Sequence, residues 1–315
     1  MKKRSETIAC CLALLALCSL ATAERIAIPS GYPDASTTGH SGTLTPSSSI
    51  TVTEDGTVLE DLDISGGVAV KANDVTIRNC RITGGLYGIN ASYGYTGLLV
   101  EDCTIYDGTS KGIYGGNMIV RRCDISMYSD CMMVQSNVLV EDCYLHDLKI
   151  TDTSHNDGIQ SVGGSHITIR GCTIQAQYQG QTSALIFQTN NGPIDDILFE
   201  DNFLSGGTYT LYIKDKGNGY GEPTNDRVRY NMWEKDSWAF GPISVSGDVE
   251  FEGNIYHTGE LCEFNNVESE NSPPVADAGD DQTVTDSDEN GSEDVTLDGS
   301  GSYDPDGTID SYVWT

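Results

Sequence analysis

The sequence predicts an all-β protein wound as a parallel β-helix, and three observations predict it. Five cysteines, Cys80, Cys103, Cys123, Cys143 and Cys172, each end a short β-like run: VTIRNC, LLVEDC, MIVRRC, VLVEDC and ITIRGC. Each is followed, one residue on, by an aliphatic residue: Ile82, Ile105, Ile125, Leu145 and Ile174. The intervals of 23, 20, 20 and 29 residues are unequal, as they are when a coil stacks on itself and sends its insertions out into loops. Beyond the N-terminal region the chain has no amphipathic helical period, only alternation of β-branched residues bounded by Gly, Asn and Asp.

From the N-terminus, MKKR, an apolar run from Ile8 to Leu20 and Ala21-Thr22-Ala23 read as a signal peptide over residues 1–23. The run is too short to span a membrane. The expectation is an exported protein, extracellular or periplasmic, with no membrane insertion, working as a monomer. Removing residues 1–23 takes Lys2, Lys3, Arg4 and Glu6 and moves the formal charge from −30 to −32. That excludes nucleic acid as a partner, since phosphate binding needs a basic face. It gives a strongly solvated surface.

Residues 24–267 form the coil. The slot held by the cysteines continues upstream at Leu62 and downstream at Asn202, Asn231 and Asn254, giving about nine turns. Second short strands fall between these runs at Gly67–Val70, Gly88–Asn90, Gly112–Tyr114, Cys131–Val134, Gly158–Val162, Ala184–Gln188, Thr210–Lys214 and Ile243–Val245. With strands about 4.8 Å apart, nine turns make a rod of roughly 40 Å. Val75, Leu98, Met118, Val138, Ile167 and Ile197 form one inward column, and the cysteines form another. The cysteines read as buried free thiols. Stacked neighbours hold their Cβ atoms about 4.8 Å apart rather than the roughly 3.8 Å of a disulfide, and a straight row without His cannot close a tetrahedron around a metal. The asparagines read as an amide ladder.

The composition changes near Val267. Residues 268–273 read as a linker and 274–315 as a second domain, with 14 Asp and Glu and no Lys or Arg from Glu268 to Thr315. Pro274-Val275-Ala276, Ala278-Gly279, Leu297-Asp298-Gly299-Ser300, Ser302, Asp304, Asp306-Gly307, Tyr312 and Trp314 resemble the polycystic-kidney-disease (PKD) domain, an immunoglobulin-like β-sandwich. The family's domain is about twice as long, so the resemblance implies a truncated sandwich, and about 45 residues do not close such a core. Asp304 and Asp306 are candidate Ca²⁺ ligands, because hard cations take oxygen-rich loops. Solvated turn acids are the alternative. No other cofactor is expected.

The most chemically loaded stretch is Ser154-His155-Asn156-Asp157-Gly158-Ile159-Gln160, inside the longest interval between cysteines. Aligned turn by turn, Tyr87, Lys111, Asp130, Asp157, Ser183 and Tyr209 fall in one column. The next column, Gly88, Gly112, Cys131, Gly158, Ala184 and Thr210, is small throughout and reads as the floor of a shallow groove suited to an extended polysaccharide. Lys111, Tyr114, Gln160, Gln188 and Tyr212 are candidate substrate-binding residues along it. Asp130 and Asp157 should lie about 5 Å apart, which raises one carboxyl pKa and also matches a retaining glycosidase pair. Both could instead be turn residues capping backbone amides. His155 is a candidate general base.

The stacked turns, IPSGYPDASTTG near the start, HNDGIQ, GGTYTLYIKD and FGPISVSG resemble the right-handed β-helix repeat proteins of the pectate-lyase-like superfamily over roughly Ile26 to Phe264. The resemblance implies a right-handed coil and a carbohydrate-related role. HNDGI is also similar to the N-T-D-G signature of polygalacturonase-type glycosidases, with Tyr212-Ile213-Lys214 where they have R-I-K; their Asp-Asp and Gly-His-Gly elements are absent. Three functions follow as expectations. One is lyase-like cleavage or modification of an acidic polysaccharide, with His155 as base and Lys111, Lys149 or Lys214 neutralising the sugar carboxylate; Lys214 is the candidate among the catalytic residues. The second is glycoside hydrolysis by Asp130 and Asp157. The third is glycan binding without catalysis.

Overall fold

The computed structural model describes residues 26–149, 155–176, 181–265, 275–279, 282–287, 290–302, 311 and 313. The expected signal peptide, the linker and Asp304 and Asp306 lie outside these residues. The last strand among them is Ile255–Tyr256, so nothing described after it supports the expected sandwich.

Every strand pair is parallel. Nine strands, from Val58–Glu60 to Val249–Glu252, form one face. A second face holds the strands that follow the slot residues, such as Arg81–Thr83, Thr104–Tyr106 and Asp124–Ser126. A third holds Tyr87–Ala91, Lys111–Gly115, Asp130–Val134, His155–Ser161, Gln181–Gln188, Tyr209–Lys214 and Gly241–Val245. The second and third faces join into one seventeen-stranded sheet because Thr45–Val52 and Leu62–Val70 run unbroken round the corner between them.

The slot motif is a corner device. The residue before each slot is left-handed: Asp61, Asn79, Asp102, Arg122, Asp142, Gly171, Asp201, Tyr230 and Gly253 all have φ between 49° and 63°. Seven of these are Asp, Asn or Gly, the types that adopt this conformation at least cost. The corner turns the next backbone N–H inward, where it needs an acceptor. The slot side chain of the following turn supplies it: Cys123 N–H donates to Cys143 Sγ at 3.4 Å and Cys143 N–H to Cys172 Sγ at 3.5 Å. Cys172 N–H then donates to Asn202 Oδ1 at 2.9 Å, Asn202 N–H to Asn231 Oδ1 at 3.0 Å, and Asn231 N–H to Asn254 Oδ1 at 3.1 Å. Asn265 ends the series by accepting from Asn254. The thiol column and the asparagine ladder are therefore one seam with two chemistries. All seven described cysteines are free and buried. A thiol-specific reagent is expected to label none of them in the native protein and all of them in denaturant; labelling of any slot cysteine before unfolding would contradict the seam.

Beside the seam runs an unbroken interior ladder, Ile64, Ile82, Ile105, Ile125, Leu145, Ile174, Leu204, Trp233 and Tyr256, in register from turn to turn. All are 2% exposed or less. Each aliphatic member contributes about 1.5–3 kcal/mol by burial. On the outside of the nine-stranded face another column alternates in charge: Glu60, Arg78, Glu101, Arg121, Glu141, Arg170, Glu200, Arg229 and Glu252. Ion pairs of 2.8–2.9 Å join Glu60–Arg78, Glu101–Arg121, Glu141–Arg170 and Glu200–Arg229.

The N-terminal segment runs back along the rod as a strap. Ile26 N–H reaches Glu234, Tyr32 lies against Phe203, Gly39 N–H donates to Arg122 O, and Ser41 N–H donates to Asn79 Oδ1.

The structure corrects one reading of the third face. Gly88, Gly112, Cys131, Gly158, Ala184 and Thr210 do not floor an open groove; all six are buried. A Cβ on Gly88, Gly112 or Gly158 would come within 2.6 Å of the Cγ2 of Ile105, Ile125 or Ile174. Their small size is set by the isoleucine ladder inside.

Candidate functional site

The third face carries an open cleft of about 560 Å³ lined by His155, Asp157, Gln160, Ile186, Gln188, Asn190, Thr208, Tyr212, Lys216 and Phe240. Its frame is the stacking of outward residues. Asn90, Tyr114, Met133, Gln160, Ile186, Tyr212 and Ser244 follow one another in register across seven strands.

The HNDGIQ stretch is described from His155 on. Asn156, fully buried, donates its amide to Lys149 O at 2.8 Å and Ser129 O at 3.1 Å, which ties the start of the strand to the preceding turn. Asp157 N–H then donates to Asp130 Oδ1 at 3.2 Å. Ser183 Oγ donates to Asp157 Oδ1, while Asp157 Oδ2 is buried without a hydrogen-bond partner among the described residues. Asn190 Oδ1, on the same cleft, is the second such oxygen.

Asp157 is 1% exposed. Burial first, then the negative charge of Asp130, push its carboxyl up to about 8, with the Ser183 hydroxyl and Lys111 opposing. At neutral pH it is therefore chiefly the protonated acid. Asp130 is equally buried, and burial raises its carboxyl too, but Lys111 sits on it as an ion pair and pulls it back. On balance its carboxyl is still raised, and of the two carboxyls it is the one with an ion-pair partner, Lys111.

The far wall is built from residues on and beyond the Tyr209–Lys214 strand. Tyr212 and Thr208 share a hydrogen bond of 2.9 Å, and Tyr209 packs edge-on against Tyr212 at 5.2 Å and, tilted, against Phe240 at 5.9 Å. Phe240 is 74% exposed, so a flat apolar ring faces solvent at the cleft mouth. Lys216 is held by its backbone: its N–H donates to Thr189 Oγ1 at 3.0 Å, and that hydroxyl donates to Asp215.

Of the sequence-derived candidates, His155, Asp157, Gln160, Gln188 and Tyr212 are brought together on this cleft. Asp130 lies behind Asp157 and does not line it. Lys111 is committed to Asp130 and Lys149 to Asp107 and Gly108 O, so neither faces the cleft as the sugar-binding cation expected of it. Lys214 pairs in register with Gln188 but is not part of the lining. Tyr114 stands two strands from Gln160, packed on Tyr87 at 5.4 Å. Asp304 and Asp306 fall outside the described residues, and among the described residues no group of three or more His, Cys, Asp or Glu is placed to hold a metal ion. Asn190, Thr208, Lys216 and Phe240 were not singled out from sequence. They lie on turns and loops that no repeat register reaches.

A family model described as "Right handed beta helix region" matches residues 47–191. Among solved structures, the A-module of a mannuronan C-5 epimerase from Azotobacter vinelandii superposes with a TM-score of 0.50 at 14% identity, over 66% of this chain and 62% of that one. This chain thus spans less than two thirds of that neighbour. An alginate lyase from a Paenibacillus species matches with a TM-score of 0.41 at 14% identity, over 68% of this chain and 87% of that one. No curated protein sequence matches the chain. The family-model match and the likeness to the epimerase module make the fold a right-handed parallel β-helix.

Proposed function

We propose that this chain is an exported enzyme that cleaves or otherwise modifies an acidic polysaccharide at the Asp157 cleft, by lyase-like proton transfer. The observation that carries the reading is a buried carboxyl with one oxygen unpartnered among the described residues, on the wall of an open cleft, between an exposed histidine and a lysine that has no ion pair among the described residues. Lys216 neutralises the sugar carboxylate and so acidifies the adjacent C–H. His155 removes that proton, and the electron pair becomes a carbon–carbon double bond as the glycosidic C–O bond breaks. Asp157 gives its proton to the departing oxygen. Phe240 and Tyr212 offer apolar faces to the sugar rings. The neighbouring fold whose name records action on mannuronan is consistent with a uronan substrate.

The mature protein incubated with a panel of uronans is expected to yield an unsaturated, ultraviolet-absorbing product, and Lys216→Met is expected to lower kcat as well as raise KM. Reducing ends without ultraviolet absorbance would instead point to hydrolysis. Binding to every glycan tested without any product would make the chain a glycan-binding module.

A further inference from the structure

Asp130 and Lys111 do not line the cleft, yet both are built into its chemistry. Asp130 is 1% exposed, its Oδ1 accepts the backbone N–H of Asp157, and its Oδ2 carries the Lys111 ammonium. An ion pair is not needed for stacking in this column, since Tyr87 occupies the register position one turn before Lys111, and here the carboxylate is buried while the lysine is partly exposed. Breaking such a pair from one side leaves an uncompensated charge, so the pair is strongly self-maintaining.

We propose that Asp130 and Lys111 are positioning residues for this cleft: Lys111 fixes a negative charge on Asp130, and that charge, acting on Asp157, keeps the Asp157 carboxyl in its proton-bearing form. This rests on the cleft being the site proposed above. The relay runs through three successive strands, Lys111–Gly115, Asp130–Val134 and His155–Ser161. Like charges this close do not both ionise, so fixing one selects the state of the other. The charged and titratable groups that face Asp157 are Asp130 and Lys111 from the preceding strands, His155 on its own strand, and Tyr212 and Lys216 across the cleft. Ser183 holds Asp157 Oδ1, which leaves Oδ2 as the oxygen that faces substrate.

The test is the titration of Asp157 itself, followed by carbon NMR of the full chain carrying labelled aspartate and assigned by the signal lost in Asp157→Asn. In Asp130→Asn, whose side-chain oxygen still accepts from Asp157 N–H, the Asp157 midpoint is expected to fall by about 1–2 pH units. In Lys111→Met the two carboxyls together are expected to hold their protons to higher pH. On a responsive glycan the alkaline limb of the pH–rate profile should move down with Asp130→Asn. An unchanged Asp157 midpoint in a natively melting Asp130→Asn protein overturns the relay. Should that variant not fold, Lys111→Met decides, because a merely structural lysine would leave the combined proton release where it was. A shifted midpoint with no product from any glycan supports the relay and overturns the enzymatic reading of the cleft, so the two fail separately.

Discussion

Asp157→Asn is expected to lower product formation about 10²–10⁴-fold, the range typical of removing a positioned proton-transfer group. The substitution is nearly isosteric and keeps the oxygen that accepts from Ser183, so the loss should appear in kcat with the melting temperature little changed. Initial rates on the responsive uronan, compared at one pH below and one above 8, check it. The same variant separates two chemistries. If Asp130 and Asp157 were a hydrolytic pair, Asp130→Asn would be as damaging as Asp157→Asn. Asp130 stands behind Asp157 rather than on the cleft wall, so its loss should shift the pH profile and leave substantial activity. Equal losses in the two variants would sink the lyase-like reading.

Asp226→Asn is expected to flatten the fall of stability with rising pH. Asp226 occupies an inward register position otherwise held by Ile197 and Val249, is 1% exposed, and accepts Ile197 N–H at 3.0 Å while its Oδ2 has no partner among the described residues. Burial, reinforced by Asp195 and Asp196, raises its carboxyl to about 7. In the unfolded chain an aspartate titrates near 3.9. Between those values the native state binds the extra proton, so stability is greatest at low pH and declines as pH rises through about 7. Three pH units correspond to about 4 kcal/mol. At about 2–4 °C per kcal/mol, the wild type should lose on the order of 10 °C of Tm between pH 4 and pH 8 to this group alone. Any fixed cost of the amide's unpartnered NH₂ group is independent of pH, so the comparison of slopes is the measurement. Parallel Tm–pH curves for the two proteins would show that Asp226 is not the titrating group.

Much of the fold was legible because the motif that repeats is also the motif that turns the chain. The column Val75, Leu98, Met118, Val138, Ile167 and Ile197 is observed in register, as is the chemical column from Tyr87 through Lys111 to Asp130. The cysteines are buried free thiols, and the asparagines form the expected ladder. The groove was misplaced by one residue of phase: the small column was correctly aligned, but a local break in the strand pairing between Asp130 and Met132 turns Cys131 and its neighbours inward. Within the site, residues carried by the repeat were predictable. Lys216 and Phe240 were not, because loops beyond a strand end have no register to read. Of the lysines named from sequence, Lys111 and Lys149 are already paired in the structure.

The alternating column on the nine-stranded face gives the rod a parity. Each coil contributes one charge, Glu or Arg by turns from Glu60 to Glu252. Each exposed pair is worth at most about 1 kcal/mol, but directly opposed like charges cost a similar amount. Excising one coil would set Glu against Glu or Arg against Arg at the new joint, whereas excising two adjacent coils restores the alternation. A chain that lengthens or shortens by duplication is thus biased to do so in pairs of coils, and the unit that can be added or lost without a mismatch is twice the unit that the cysteines mark.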